Sequence, residues 1–122
     1  MKDSVAEFNR RLFDVLAQQI QTMTTYYCYN GTLEEAIGLC NWCEAVLSAY
    51  SSKPEFTDYE VFPWLLKKFN FSKMSAYGRF GKTDEAKKVC EDFLAEARAR
   101  KLFSDEEYKS VEKEFREQIY IL

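Results

Sequence analysis

Gly31-Thr-Leu-Glu-Glu35-Ala36-Ile-Gly-Leu-Cys40 and Gly81-Lys-Thr-Asp-Glu85-Ala86-Lys-Lys-Val-Cys90 carry Gly, Glu, Ala and Cys at the same relative positions, fifty residues apart. A long helical pattern follows each. A glycine just ahead of a capped helix suits a tight turn in which φ can be positive. The alanine lets a neighbouring helix approach closely, and the cysteine one turn later serves as a small apolar core residue. The recurrence describes one supersecondary unit used twice: helix, glycine turn, capped helix.

Working outward from the first copy, Ser4-Val-Ala-Glu7 reads as a capping box. Val5, Phe8, Leu12, Leu16, Ile20 and Met23 then repeat at three- and four-residue steps, which predicts an amphipathic helix with that stripe inward. Asn30-Gly31 supplies the turn, and Thr32-Leu-Glu-Glu35 is a second capping box. Behind it Leu33, Ala36, Ile37, Cys40, Cys43, Leu47 and Tyr50 share one face, with Leu39, Trp42 and Val46 on a flank that suggests a central helix. Ser51-Ser-Lys-Pro54 breaks it. Thr57-Asp-Tyr-Glu60 is a third box, followed by an awkward Pro63 that either kinks the helix or moves its start later. A separate short helix is expected after Ser72. Thr83 is expected to cap a helix with Ala86, Val89, Cys90, Phe93, Leu94 and Ala97 inward. Ser104-Asp-Glu-Glu107, a fourth box, opens the last helix, with Tyr108, Val111, Phe115 and Ile119 inward. No stretch alternates at period two.

The fold expected is therefore all-α: a compact bundle of five to six helices, built as two helical hairpins plus a C-terminal helix. The 122 residues read as one domain, with hairpin 1 over about 4–52, hairpin 2 over about 57–102 and the last helix over about 105–120. The 47% apolar content exceeds that of a disordered chain. Four glycines and two prolines leave little punctuation for many short strands.

Asn30-Gly-Thr-Leu-Glu-Glu-Ala36 and Ala76-Tyr-Gly-Arg-Phe80-Gly81-Lys-Thr-Asp-Glu-Ala86 resemble the turn and second-helix start of tetratricopeptide-like repeats. That resemblance implies stacked helical hairpins whose groove binds a peptide or protein. The fifty-residue spacing, against about 34 in that family, favours a compact pair of hairpins with a capping helix over an extended superhelix.

Catalytic chemistry finds little to work with. Histidine is absent, which removes Ser–His and Cys–His nucleophile pairs and the Glu-x-x-His ligands of di-iron bundles. Cys40-Asn-Trp-Cys43 is a Cys-x-x-Cys, but it falls two turns inside a helix, away from the N-terminus that activates redox thiols. Zinc would need two more ligands, with only Cys28 and Cys90 remaining; core thiols are the preferred reading. Glu114 and Glu117 form the one tidy carboxylate pair and belong to a solvated face. No phosphate-loop pattern is present. A non-enzymatic protein with no cofactor and no metal is expected.

Charge is uneven. Residues 28–62 hold Glu34, Glu35, Glu44, Glu55, Asp58 and Glu60 against Lys53 alone, while residues 63–82 hold Lys67, Lys68, Lys73, Arg79 and Lys82 with no acid. The acidic part is also rich in Tyr and Trp, which supply binding energy at interfaces while charge steers the partner. The expectation is a small acidic protein-binding module, most specifically an inhibitor or immunity protein that neutralises a basic partner such as a nuclease toxin. Tyr29, Glu34, Glu44, Asp58, Tyr59 and Glu60 are the candidate contacts. The alternatives are an adaptor or chaperone holding a peptide in a helical groove, and nucleic-acid binding through the basic 67–82 stretch, which the net charge of −3 disfavours. The two opposite patches could equally attract each other. The opening residues lack the apolar core of a signal peptide and no apolar run reaches a membrane span, so a cytoplasmic location with reduced thiols is expected.

Overall fold

The computed structural model describes residues 2–53 and 61–121. They form an all-α bundle of five helices: α1 (Lys2–Asn30), α2 (Leu33–Ser51), α3 (Val61–Arg79), α4 (Thr83–Ala99) and α5 (Asp105–Ile121). α3 packs against both α1 and α2 on one side and against α4 on the other, and α5 lies on α4 and α3. The central element is thus α3, where the sequence pointed to α2.

Local chemistry explains most boundaries. Thr32 and Glu35 form the reciprocal capping box, Glu35 N–H donating to Thr32 Oγ1 at 3.2 Å and Thr32 N–H to Glu35 Oε1 at 3.0 Å. Ser104 and Glu107 repeat the arrangement at 3.2 and 2.8 Å. Two other expected caps do not form. α1 starts at Lys2, so Ser4 lies within the helix and not at its end. α4 is preceded by Lys82, whose side chain makes no cap bond, and Thr83 is already helical. The Thr57–Glu60 box lies outside the described residues.

Pro63 is the third residue of α3, in the first turn, where a missing N–H costs no helical bond. The helix continues past Pro63 without a break. α3 then runs unbroken through Asn70, Phe71 and Ser72, where a second helix was expected to begin. Asn70 is buried and turns its amide back to the Leu66 carbonyl at 2.9 Å, so its polar side chain is satisfied without ending the helix.

The repeated glycines do different work. Gly81 has φ of +72° and sits at the end of α3, with Lys82 N–H donating to Tyr77 O (2.8 Å) and Gly81 N–H to Gly78 O (3.1 Å). This is a Schellman termination. Gly31 shows no such conformation and is needed for space: a Cβ there would lie 2.9 Å from Tyr27 Cδ1 and 3.0 Å from Tyr27 O. The α4 terminus repeats the Schellman bonds, Leu102 to Ala97 and Lys101 to Arg98, with a lysine at φ of +52° in the glycine position.

Three buried clusters hold the bundle together, and α3 contributes to each. Leu65 and Phe69 join Phe13 and Ala17 of α1 with Cys43 and Leu47 of α2. Met74 joins Phe93 of α4 and Val111 and Phe115 of α5, with the Phe93 and Phe115 rings stacked 5.0 Å apart. Between them, Ala76 meets Cys28, Ala36 and Cys40, a junction of small residues where α1, α2 and α3 approach closely. The equivalent residues of the second unit, Ala86 and Cys90, are buried as well.

Candidate functional site

The largest departure from expectation concerns α1, and it creates the site. The stripe Val5, Phe8, Leu12, Leu16 and Met23 is exposed, Phe8 at 64%. Only Ile20 of that series packs against the core. The inward face is instead Phe13, Ala17, Thr24 and Cys28. Thr24 is accommodated because its hydroxyl donates to the Ile20 carbonyl at 2.8 Å. Phe13 packs its ring against Tyr50 and Phe62, and from Ala17 to Cys28 close approach to α2 and α3 selects small side chains, so the bulkier stripe is left about a third of a turn away from the core. Val15 and Tyr26 widen it, both more than half exposed.

The stripe continues into a cleft of about 530 Å³ between α1 and α2. Leu16 and Met23 form one rim, and Trp42 (54% exposed) and Val46 form the other. Leu65 and Phe69 of α3 are deeply buried and close the bottom. Gln19 and the Tyr50 ring complete the lining, which contains no charged side chain. Indeed no charge occurs anywhere from Val15 to Leu33.

The acidic candidates fare differently from one another. Tyr29 and Glu34 are exposed. Glu44 is half-buried: its Oε1 is sealed from solvent without a well-formed hydrogen bond, and Lys73 Nζ at 3.1 Å compensates its charge. Asp58, Tyr59 and Glu60 lie outside the described residues. The basic stretch is largely occupied too. Lys67 pairs with Glu114 at 2.6 Å, Lys73 donates to Asn41 Oδ1 at 3.0 Å as well as meeting Glu44, and the Arg79 guanidinium donates to the carbonyls of Tyr29 and Gly31. The opposite patches therefore meet within the chain at Lys73–Glu44. Phe69 is buried and Phe71 and Tyr77 are half-buried against the core, which leaves Phe80 as the exposed aromatic of that stretch, under the Arg79 guanidinium.

Cys40 and Cys43 point into different clusters. The nearest thiol to Cys40 is Cys28, across the hairpin at 3.9 Å, and Cys43 lies 3.6 Å from Thr24 Oγ1. The Cys28–Cys40 hydrogen bond raises the Cys40 thiol and lowers Cys28, burial adding to the rise at Cys40; burial alone is the main cause of the upward shift at Cys43. All four cysteines are buried, and among the described residues no three His, Cys, Asp or Glu side chains converge as a metal site. Nor, among those residues, is any helix long and apolar enough to cross a membrane.

No family model, curated protein or solved structure matches this chain. The functional reading rests on the site's own geometry. Sequence periodicity found the right residues on α1 but assigned them to the core. The signal that marks this part of α1 is the charge-free run from Val15 to Leu33, where the solvent face is made of Gln18, Thr22 and Thr25 and carries no charge.

Proposed function

We propose that this protein works by binding another protein through the uncharged apolar face of its first hairpin, in the manner of an adaptor that takes a partner's helix along a groove. The observation that carries the reading is the continuous exposure of the α1 stripe and the α1/α2 cleft. Besides its inward face, α1 carries a second apolar stripe that no other described residue covers, and an apolar patch of this extent on a folded chain marks an interaction surface. Charge depletion in the cleft matches the composition of interface centres, and Trp42 is the kind of rigid aromatic that dominates binding energy. The partner is expected to present an amphipathic helix with apolar residues at three- and four-residue spacing. Reuse of one hairpin unit, with Ala36/Ala86 and Cys40/Cys90 buried in both copies, supports the helical-repeat reading of the chain.

The inhibitor reading places the energy on acidic residues instead, and one experiment separates the two. Tagged protein is used to capture its partner, which is then titrated against variants. Leu16→Asp and Trp42→Ala are expected to weaken binding at least tenfold, whereas Glu34→Lys changes it less than about threefold and added salt has little effect. Loss of binding on Glu34→Lys or in high salt, with Leu16→Asp unaffected, transfers the function to the acidic surface.

A further inference from the structure

We infer that in the free protein the apolar face of α1 and α2 is covered by a second copy of this chain, forming a closed two-fold dimer; the inference rests on the binding reading above and names what occupies that face until a partner displaces it. The two ends of the bundle are built differently. At the far end α5 lies over α4 and α3 with its outer surface charged: Glu106, Lys109, Lys113 and Glu117 are exposed. Packed helical units need such a polar terminal face because each unit buries apolar surface only where it has a neighbour. At the α1 end no polar helix among the described residues plays that part, and the exposed face there is the stripe and the cleft.

Area and charge both fit a copy of the same chain. Eight large apolar side chains, the α1 stripe with Trp42, are each roughly half exposed. Phe8, Tyr26 and Trp42 are aromatics of the kind that bury about 150–250 Å² each, and with the five aliphatic side chains and the cleft they supply the apolar centre of an interface of the roughly 800 Å² per partner that a stable pair needs. A two-fold interface sets each surface against itself, so like charges would meet near the axis. The uncharged run from Val15 to Leu33 removes that repulsion. Glu7 and Arg11, beside the stripe at its N-terminal end, already neutralise each other at 2.5 Å. Pairing the two open ends leaves a charged α5 at both extremities, which stops assembly at two.

Sedimentation velocity on the full chain from 0.5 to 100 µM tests this. The expected result is a dimer of twice 14.4 kDa, converted to a folded monomer by Val15→Asp with Leu16→Asp and unchanged by Lys109→Glu on α5. If that double variant loses its helical circular dichroism, Val15→Gln with Met23→Gln carries the test, since both residues are exposed. A monomer at 100 µM overturns the dimer; if the Leu16→Asp variant then still loses the captured partner, the binding reading stands without it. A dimer that survives the α1 substitutions, or a ladder of larger species, also overturns the inference, because the contact then lies elsewhere or does not close.

Discussion

Single residues fix the two turns on which the hairpins depend, and they do so by different physics. At Gly81 the backbone is left-handed and there is open space around it, so Gly81→Ala is expected to cost about 1–2 kcal/mol from strain alone. Lys101 occupies the same position of the same motif with a side chain that disfavours it. Lys101→Gly is therefore expected to stabilise by about 0.5–1 kcal/mol, the strain relief exceeding the entropy that glycine adds to the unfolded chain. Urea denaturation of the two variants checks the pair, and the signs must be opposite. At Lys73 and Glu44 residue identity matters in another way. The pair joins the basic and acidic stretches within one chain, so charges that look like separate surfaces in the sequence neutralise each other in the fold.

At the scale of the element, α1 is decisive because it offers two apolar faces and only one can meet α2 and α3. Phe13→Ala on the inward face is expected to cost about 3–4 kcal/mol, whereas Phe8→Ala on the outward stripe leaves monomer stability within about 0.5 kcal/mol. Denaturation midpoints, measured on the monomeric Val15→Asp/Leu16→Asp background, decide this; equal losses would mean both faces are inside. The same element shows why periodicity alone chose the wrong face. Hydrophobicity ranks Val, Phe, Leu and Met above Ala, Thr and Cys, yet helices that cross closely need the smaller set between them. α4 gave no such conflict because it has a single apolar face, whereas the Leu39, Trp42 and Val46 flank of α2 made that helix look central and is in part exposed. α3 was read as two helices, the second starting after Ser72, yet the helix runs on because the polar Asn70 is satisfied by an intrahelical hydrogen bond to the Leu66 carbonyl.

Over the whole molecule the asymmetry of the two ends governs behaviour. If dimerisation covers the α1 end, folding and association are linked, and the thermal midpoint rises with protein concentration. A hundredfold increase in concentration is expected to raise it by several degrees for the wild type and not at all for Val15→Asp/Leu16→Asp, as differential scanning fluorimetry reads directly. The charged α5 end contributes nothing to that dependence, which Lys109→Glu checks. Among the described residues, the same asymmetry puts the exposed apolar face next to a single exposed acidic candidate, Glu34, which directly follows the charge-free span that contains Tyr29.

What the sequence determined by itself was everything carried by short-range chemistry. The all-α class follows from the three- and four-residue spacing, the turns from Gly31 and Gly81, the cap of α2 from Thr32 and Glu35, and the start of α5 from Ser104 and Glu107. The buried faces of α4 and α5 were legible for the same reason, since one apolar stripe per helix leaves one choice, and that of α2 was legible apart from its exposed Trp42 flank. Only the tertiary structure decided which face of α1 turned inward, that α3 was central and that Lys73 consumed Glu44. Those outcomes depend on how closely helices approach one another and on residues more than twenty positions apart, neither of which a local pattern encodes. The exposed apolar surface arose from such an outcome: it is the face of α1 that packing against α2 and α3 left outside.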